Sequence, residues 1–388
     1  MGIGIPHTDC EFLRQTQIGL TRGLSVTTLF QLTVLVHLKG GLHMRIPGWS
    51  LAAAVLLATV GMISCQKAGP SAEGADVRLQ GSGASFPFPI YSKWFKVYSQ
   101  AHQNVEIDYQ STGSGSGVKS FIDKTVDFAA SDKAMTPAEI GRVAAGVQLL
   151  PLTAGAIVLT YNVPGVKELK LSREAYVGIF LGRVKKWNDP AIVKTNPGVN
   201  LPGSVINVVV RADSSGTTFV FTQHLSAISK EFAASPGKND MPAWPVGTRS
   251  KGNEGVTASV QTTPGSIGYI EYGYAMSQKM PMAQLENKSG QFIAPSTASG
   301  QAALATMNLP EDLIGWAPDP EVKDAYPIAT FTWLLCYKKN PDPRKAEVLR
   351  DLASYILTDG QKESEALGYL PLPDAMATKV KAAVQNIQ

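Results

Sequence analysis

Short apolar runs alternate along this chain with longer stretches in which apolar residues recur every three or four positions. The strand pattern DVRLQ is followed by a Ser/Gly segment and then by Phe88, Tyr91, Phe95 and Tyr98 on one face of a predicted helix. VEIDY and INVVV begin two further units, each with a strand, a Ser/Gly turn and a helix start. Strands that alternate with helices predict an α/β fold with mostly parallel sheets.

The three Ser/Gly turns are candidate anion sites. Ligands of such sheets bind beyond the carboxyl ends of the strands, and the first N–H groups of a helix have no intrahelical acceptor. We therefore expect the turns to converge on an anion; the alternative is that each hydroxyl only caps its own helix. The hydroxyls that would donate are those of Ser85, Ser114, Ser215 and Thr217.

The third turn, RADSSGTT, adds two charged groups. The planar, permanently charged fork of Arg211 suits a tetrahedral oxyanion, and Asp213 is placed to hold that guanidinium. Asp132, after the strand pattern TVDFAAS, would repel an anion that has no proton to donate. Phosphate near neutrality has such a proton and sulfate does not. Asp132 could instead cap the next helix, but Thr136 already begins a capping box with Glu139.

Composition narrows the function classes. The chain has 388 residues, a formal net charge of +4 and no long Lys/Arg block, which argues against nucleic acid as a partner. His102 and His224 are the histidines beyond Cys65, too few for a Ser-His-Asp triad or a zinc hydrolase. Val118 separates Gly117 from Lys119, so TGSGSGVKS is not a P-loop. We expect no catalytic residue, metal or cofactor.

The beginning of the chain has the pattern of an export signal. Residues 44–64 contain Arg45 and an apolar run of about 13 residues, which is shorter than the roughly 20 needed to span a bilayer. The ending Met-Ile-Ser-Cys resembles a lipobox, which predicts lipidation of Cys65; a simple cleaved signal or one N-terminal anchor is the alternative. Residues 65–75 read as a flexible linker, and residues 1–43 as an extension upstream of the true start at Met44.

From about residue 76 to 388 the chain resembles the periplasmic phosphate-binding proteins of the bacterial phosphate-specific ABC transport system. The resemblance covers most of the folded body in the family's order. Two departures are a Ser at position 85, where some relatives have Thr, and the segment KAM after Asp132, where relatives often have a smaller apolar run. The matching stretches are GSGASFPFPIYSKWF, YQSTGSGSGVKSFIDKTVDFAASD, YNVPGV, IFLGRVKKWNDPAI, VVVRADSSGTTFVFT, GNEGV and PGSIGYIEYGYA.

This resemblance implies a two-lobed, type II-like periplasmic-binding-protein fold with the ligand in the cleft between the lobes. Residues 76–152 and 327–388 would form lobe I and residues 153–326 lobe II, with crossings near Thr153 and Pro327. Asp213 matches the family's partner of the binding arginine. The implied phosphate ligands are Ser85, Phe86, Ser114, Asp132, Arg211, Ser215, Gly216 and Thr217.

The function implied by the resemblance is high-affinity binding of inorganic phosphate outside the inner membrane. The protein, expected to be a monomer in the periplasm or cell envelope and anchored through Cys65, would deliver phosphate to the permease and ATPase subunits of an ABC importer. It would not be an enzyme. The alternatives are a phosphatase on the same scaffold and an anchored phosphate-sensing or surface protein.

Overall fold

The structure is a computed structural model that describes residues 77–388. The assignments made for residues 1–43, 44–64 and 65–75, including Cys65, lie outside the described residues. No helix in the described range combines the length and the apolar character needed to cross a bilayer.

Strands and helices alternate through this range, which confirms the α/β prediction. The strands are β1 (Val77–Gly83), β2 (Val105–Ser111), β3 (Phe128–Ser131), β4 (Val147–Asn162), β5 (Lys170–Leu171), β6 (Asn207–Arg211), β7 (Thr248–Ser250), β8 (Ser266–Glu271), β9 (Gln284–Glu286), β10 (Phe292–Ile293) and β11 (Ala329–Tyr337). The helices are α1 (Phe88–Ala101), α2 (Ser114–Ile122), α3 (Pro137–Gly141), α4 (Arg173–Phe180), α5 (Pro190–Val193), α6 (Gly216–Ile228), α7 (Lys230–Ala234), α8 (Gly252–Thr262), α9 (Tyr272–Ser277), α10 (Thr297–Leu304), α11 (Pro343–Ile356) and α12 (Asp374–Val384).

The main sheet has the strand order β2-β1-β3-β11-β4-β8-β6-β7, and a small sheet has the order β10-β9-β5. Parallel pairs form both flanks of the main sheet, β1 with β2 and β3 on one side and β6 with β7 and β8 on the other. The middle strands β4 and β11 run antiparallel to their neighbours. The expectation of mostly parallel sheets therefore holds for the flanks and is wrong for the middle.

Strand β4 connects the two flanks. It pairs with β11 up to Ala156 and with β8 from Ile157 onward. The register shifts where Thr332 and Trp333 of β11 face Thr153 and Pro151. Proline has no N–H for the ladder, so a bulge is the expected way for a central strand to contain it. β4 is thus one buried strand, longer than the predicted GAIVLTYN, with an irregularity near its middle.

The Ser/Gly segments are more regular than their composition suggests. Gly81–Gly83 continue β1, because they pair with both β2 and β3. Helix α2 already begins at Ser114, so the whole SGSG stretch from Ser114 to Gly117 is helical. A Cβ on Gly117 would lie 2.5 Å from the Cα of Gly83. Glycine thus allows the helix to approach the strand closely at this point.

Other local predictions are confirmed. Thr136 caps α3, and its hydroxyl and the Glu139 carboxylate form the predicted capping box. Cys336 lies buried in β11. The pattern GSIGYIEYGYA is only half strand, because β8 ends at Glu271 and that side chain caps α9.

His224 is buried in a polar network on α6, as its inward position predicts. Its Nδ1 lies 2.7 Å from the Pro318 carbonyl oxygen and its Nε2 lies 2.9 Å from the Tyr176 hydroxyl. Because a carbonyl only accepts, Nδ1 carries the proton of a neutral ring. Burial lowers the pKa of His224 to about 4, although the Pro318 carbonyl and Asp319 act in the opposite direction.

We predict that His224 makes the protein acid-sensitive. Above pH 6.5 the ring is neutral in both states; as pH falls from 6.5 towards 4, the unfolded chain takes up a proton that the folded protein does not. Folding should therefore lose about 2 kcal/mol between pH 8 and pH 5 through this residue. Urea unfolding of the wild type and His224→Gln at both values tests this. The stability gap between them should narrow by that amount at pH 5, and an unchanged gap would contradict the prediction.

Candidate functional site

The three predicted turns meet at one buried place beyond the ends of β1, β2 and β6. The Gly113 amide donates to the Gly83 carbonyl at 2.8 Å, and the Gly115 amide donates to the Ser214 carbonyl at 3.0 Å. We call the eight predicted ligand residues at this place the cage. Those with side chains are at most 2% exposed, and Gly216 is also buried. The cage consists of Ser85, Phe86, Ser114, Asp132, Arg211, Ser215, Gly216 and Thr217.

Arg211 supplies a buried positive charge at the end of β6. Its Nε and Nη2 donate to the two carboxylate oxygens of Asp213 at 2.9 and 2.5 Å. Burial acts to lower the pKa of Arg211, but hydrogen bonding to Asp213 and its charge keep that pKa above its usual value. Nη1 is buried and has no hydrogen-bond partner within residues 77–388. Asp213 therefore orients the guanidinium and leaves one donor group for a ligand.

Asp213 is itself held in place. Its Oδ1 also accepts the Gly252 amide at 3.1 Å. Burial acts to raise the pKa of Asp213, yet the hydrogen bond and charge of Arg211 hold that pKa below its usual range. The pair is therefore ionised at neutral pH, as the sequence predicts.

Ser114 joins the two flanks of the sheet at the cage. Its Oγ accepts the Gly216 amide at 3.0 Å and the Asp132 amide at 3.3 Å. A Cβ on Gly216 would lie 2.6 Å from that oxygen, so glycine is needed here for close approach. Because both contacts use the oxygen as acceptor, the hydroxyl proton of Ser114 can be donated to a ligand.

The loop after β1 brings Ser85 and Phe86 into the cage. Ser85 Oγ accepts both the backbone amide and Nδ2 of Asn253 at 2.9 Å, which leaves its own proton available. The carbonyls of the same loop are fixed by tyrosines, since Tyr274 donates to Ser85 and Tyr369 to Phe86, each at 2.7 Å. The loop is thus held without using the Ser85 hydroxyl proton.

Asp132 is the one carboxylate among the cage residues. Its oxygens accept the hydroxyls of Thr332 at 2.9 Å and Thr217 at 3.2 Å. Burial raises the pKa of Asp132 to about 7, although the Thr332 hydrogen bond, the charge of Arg211 and the Thr217 hydrogen bond act in the opposite direction. Asp132 does not cap α3, where Thr136 does. Near neutral pH this group can therefore either accept or hold a proton.

The capping alternative holds for one of the candidate hydroxyls. Ser215 Oγ accepts the Thr218 amide at 3.0 Å and caps α6. Thr217 donates to Asp132, so in this structure its proton is directed to the carboxylate. Ser114 and Ser85 serve no cap of their own helices.

Two residues of this site were missed by the sequence reasoning. Asn253 Nδ2 donates to Ser85 and also, at 3.3 Å, to Thr217, while its Oδ1 accepts the Glu271 amide at 2.9 Å. Thr332 holds Asp132 from β11. The sequence contains a feature that could have pointed to each residue. Asn253 lies at a helix start in GNEGV, and Thr332 is a polar residue within the apolar run TFTWLL.

The cage combines hydrogen-bond donors with one carboxylate, which is the chemistry that binding of an oxyanion requires. Its available donors are the Arg211 Nη1 group and the Ser85 and Ser114 hydroxyls, and its acceptor is the Asp132 carboxylate. Residues 77–388 contain no cluster of His, Cys, Asp and Glu that could hold a metal ion. His224 is engaged by Tyr176 and Pro318, and His102 contacts the Tyr98 carbonyl. The donors and the carboxylate of the cage therefore have the chemistry of an anion receptor.

Comparison with known proteins agrees with this class. Residues 70–360 match the model of a PBP superfamily domain. The crystal structure of a phosphate-binding protein from Stenotrophomonas maltophilia aligns with a TM-score of 0.66 at 20% identity, covering 79% of this chain and 93% of that one. Fold and site thus define a two-lobed periplasmic binding protein.

Curated relatives narrow the class to one family. The phosphate-binding protein PstS of Pasteurella multocida is 40% identical over 311 residues, 78% of this chain and 89% of the relative. PstS of Methanocaldococcus jannaschii is 36% identical over 380 residues, 90% of this chain and 98% of the relative. The chain belongs to the PstS family of phosphate-binding proteins.

We predict that Asn253→Ala destabilises the folded protein. It removes the donor shared by Ser85 and Thr217 and leaves the Glu271 amide buried without its acceptor, a loss of about 1–3 kcal/mol. Denaturant unfolding in anion-free buffer measures it. The control is Asn207→Ala, whose amide bonds one carbonyl from an exposed position and should matter by less than about 0.5 kcal/mol. Equal losses in the two variants would argue against the bridging role.

Proposed function

We propose that this protein binds inorganic phosphate in the cage and delivers it to the permease of an ABC importer. The observation that carries the proposal is the combination of the Arg211–Asp213 pair, which leaves Nη1 free, with the buried Asp132 carboxylate. Hydrogen phosphate offers three bare oxygens to donors and one proton to an acceptor. The relatives of this chain are named as phosphate-binding proteins, which agrees with this ligand.

The size of the ligand is compatible with tight binding. Five heavy atoms at a ceiling of about −1.5 kcal/mol each give about −7.5 kcal/mol, close to micromolar affinity. Charge-assisted hydrogen bonds of roughly 1.5–3 kcal/mol each would strengthen the binding free energy further if water is excluded from the cage. Burial of every cage residue supports such exclusion.

We propose residues 76–152 with 327–388 as lobe I and residues 153–326 as lobe II. The bulge near Thr153 and the change of β4 from pairing with β11 to pairing with β8 at Ile157 support a crossing in this part of the strand. Cage residues would then come from both lobes: Ser85, Phe86, Ser114 and Asp132 from lobe I and the remaining four from lobe II. Closure of the lobes would complete the cage.

Nothing specific favours the two alternatives. A phosphatase needs a nucleophile with a base, or metal ions, and the relatives are named for binding. A sensing or surface role would use the same cage. We propose a monomer in the periplasm or cell envelope, lipid-anchored at Cys65, with the importer's permease and ATPase subunits as its partners.

Asp132 should select phosphate over sulfate. Phosphate donates its proton to this carboxylate, whereas sulfate can bind only after the carboxylate takes up a proton, which with a pKa of about 7 costs about 100-fold in affinity at pH 9. Asp132→Asn replaces the acceptor oxygen with a donor and should admit sulfate, while phosphate binding changes much less. Competition calorimetry at pH 9, where the carboxylate is ionised, decides: arsenate, which keeps a proton, should compete in both proteins, and sulfate should compete about 100-fold more weakly in the wild type than in the variant. Equal sulfate competition in both would remove Asp132 as the selective group.

The same argument predicts how pH acts on sulfate. Above the Asp132 pKa of about 7, sulfate can bind only if the carboxylate takes a proton from solvent. Sulfate affinity of the wild type should therefore rise about tenfold per unit as pH falls from 9 to 7 and then level off. Asp132→Asn should show no such rise, and a flat profile in the wild type would contradict the shared-proton account.

Lipidation of Cys65 is tested directly. Mass spectrometry of protein extracted from membranes should show a mature chain that begins at an acylated Cys65. Cys65→Ser should move the protein to the soluble fraction. Cys10→Ser, upstream of the proposed signal, is the matched control and should leave fractionation unchanged. A different mature N-terminus, or identical behaviour of the two variants, would exclude the anchor.

A further inference from the structure

An ion pair bridges the proposed lobes beside the cage. Lys133 Nζ of lobe I lies 2.8 Å from Asp240 Oδ2 of lobe II, with side chains 25% and 22% exposed. A cavity of about 20 Å³ is lined by this pair and by the cage residue Ser114. That volume is about the size of one water molecule. The pair and the cage residue Ser114 therefore border the same small cavity.

Both ends of the pair are attached to cage residues. Lys133 follows Asp132 directly, and its amide donates to Ser131 Oγ at 3.1 Å. The Asp240 carbonyl accepts the amide of Ser215 at 2.9 Å. The preceding residue, Asn239, is fixed to α6 because its carbonyl accepts the Thr222 hydroxyl at 2.8 Å. Separating the lobes would therefore pull Lys133 away from Asp240.

A second lysine lies close to Lys133, and Asp240 provides the negative charge that offsets their repulsion. Lys133 Nζ and Lys238 Nζ lie 5.5 and 4.6 Å from the centroid of the Phe219 ring. Burial lowers the pKa of Lys238, and the charge of Lys133 adds to this effect. Two ammonium groups thus share one aromatic ring and repel each other. Asp240 is the carboxylate that holds Lys133 in this position.

We propose that Lys133 and Asp240 form a latch that slows phosphate release by holding the lobes closed. The inference rests on the proposed function. Phosphate can leave only when the lobes part, and the latch must break for that to happen, whereas the open protein that captures phosphate does not have the pair. The latch should therefore act on the dissociation rate and leave the association rate nearly unchanged.

Stopped-flow release of inorganic phosphate into a fluorescent phosphate trap tests the latch. Lys133→Met keeps the length of the side chain without its charge, and Asp240→Asn keeps the shape. Each variant should release phosphate about two- to fivefold faster, as expected for a partly exposed ion pair. The double variant should be no faster than the faster single variant, because one partner has nothing to hold without the other.

Lys345 and Asp127 provide a matched control. Their Nζ–Oδ1 distance is also 2.8 Å, with side chains 29% and 20% exposed, but both belong to lobe I. Lys345→Met should leave the release rate of phosphate within about 1.5-fold of the wild type, since breaking a pair within one lobe does not oppose opening. A rate increase equal to that of Lys133→Met would overturn the latch.

Association rates separate a latch from electrostatic steering. If Lys133 only attracts the anion, Lys133→Met slows binding and Asp240→Asn speeds it, with release unchanged in both; that pattern would overturn the proposal. A wild-type protein without phosphate binding would overturn the proposed function and the latch together. Tight binding in the wild type with unaltered release in both variants would overturn the latch alone.

Discussion

A buried guanidinium is the constraint on which the rest of this site depends. A cation with 2% exposure is tolerable only with a partner, and Asp213 neutralises Arg211 through two hydrogen bonds. Because Asp213 sits on one side of the fork, Nη1 is left without a protein acceptor in the described part of the chain. The one-sided contact with Asp213 thus neutralises the buried Arg211 and at the same time leaves its Nη1 group as a donor for a ligand.

The cage is built by close approach of two halves of one sheet. Ser114 accepts amides from both halves, and Gly216 leaves room for that contact. Asn253 adds a second bridge between Ser85 and Thr217. These contacts use backbone amides and hydroxyl lone pairs, so the hydroxyl protons of Ser85 and Ser114 remain for a ligand. The hydrogen bonds that hold the two halves together therefore also leave the hydroxyl donors of the cage available.

Features that depend on local sequence could be predicted, whereas features that depend on contacts between distant parts of the chain could not. The strand–turn–helix units, the Arg211–Asp213 pair and the Thr136 cap follow from local periodicity and residue chemistry. The antiparallel β4 and β11 could not be foreseen, because nothing local to IATFTWLLCY indicates which strands it will join. Thr332 and Asn253 were missed for the same reason, since their partners lie 200 and 168 residues away in the chain.

The two hydroxyls that bind Asp132 have a consequence for the proton affinity of the cage. Thr332 lies on β11, which pairs with β3 directly before Asp132, so it belongs to the same half of the sheet as the carboxylate. Thr217 lies on α6, which follows β6 in the other half. Because burial raises the pKa of Asp132 and both hydrogen bonds lower it, the basicity of this carboxylate depends in part on a hydroxyl that the opposite half of the sheet supplies.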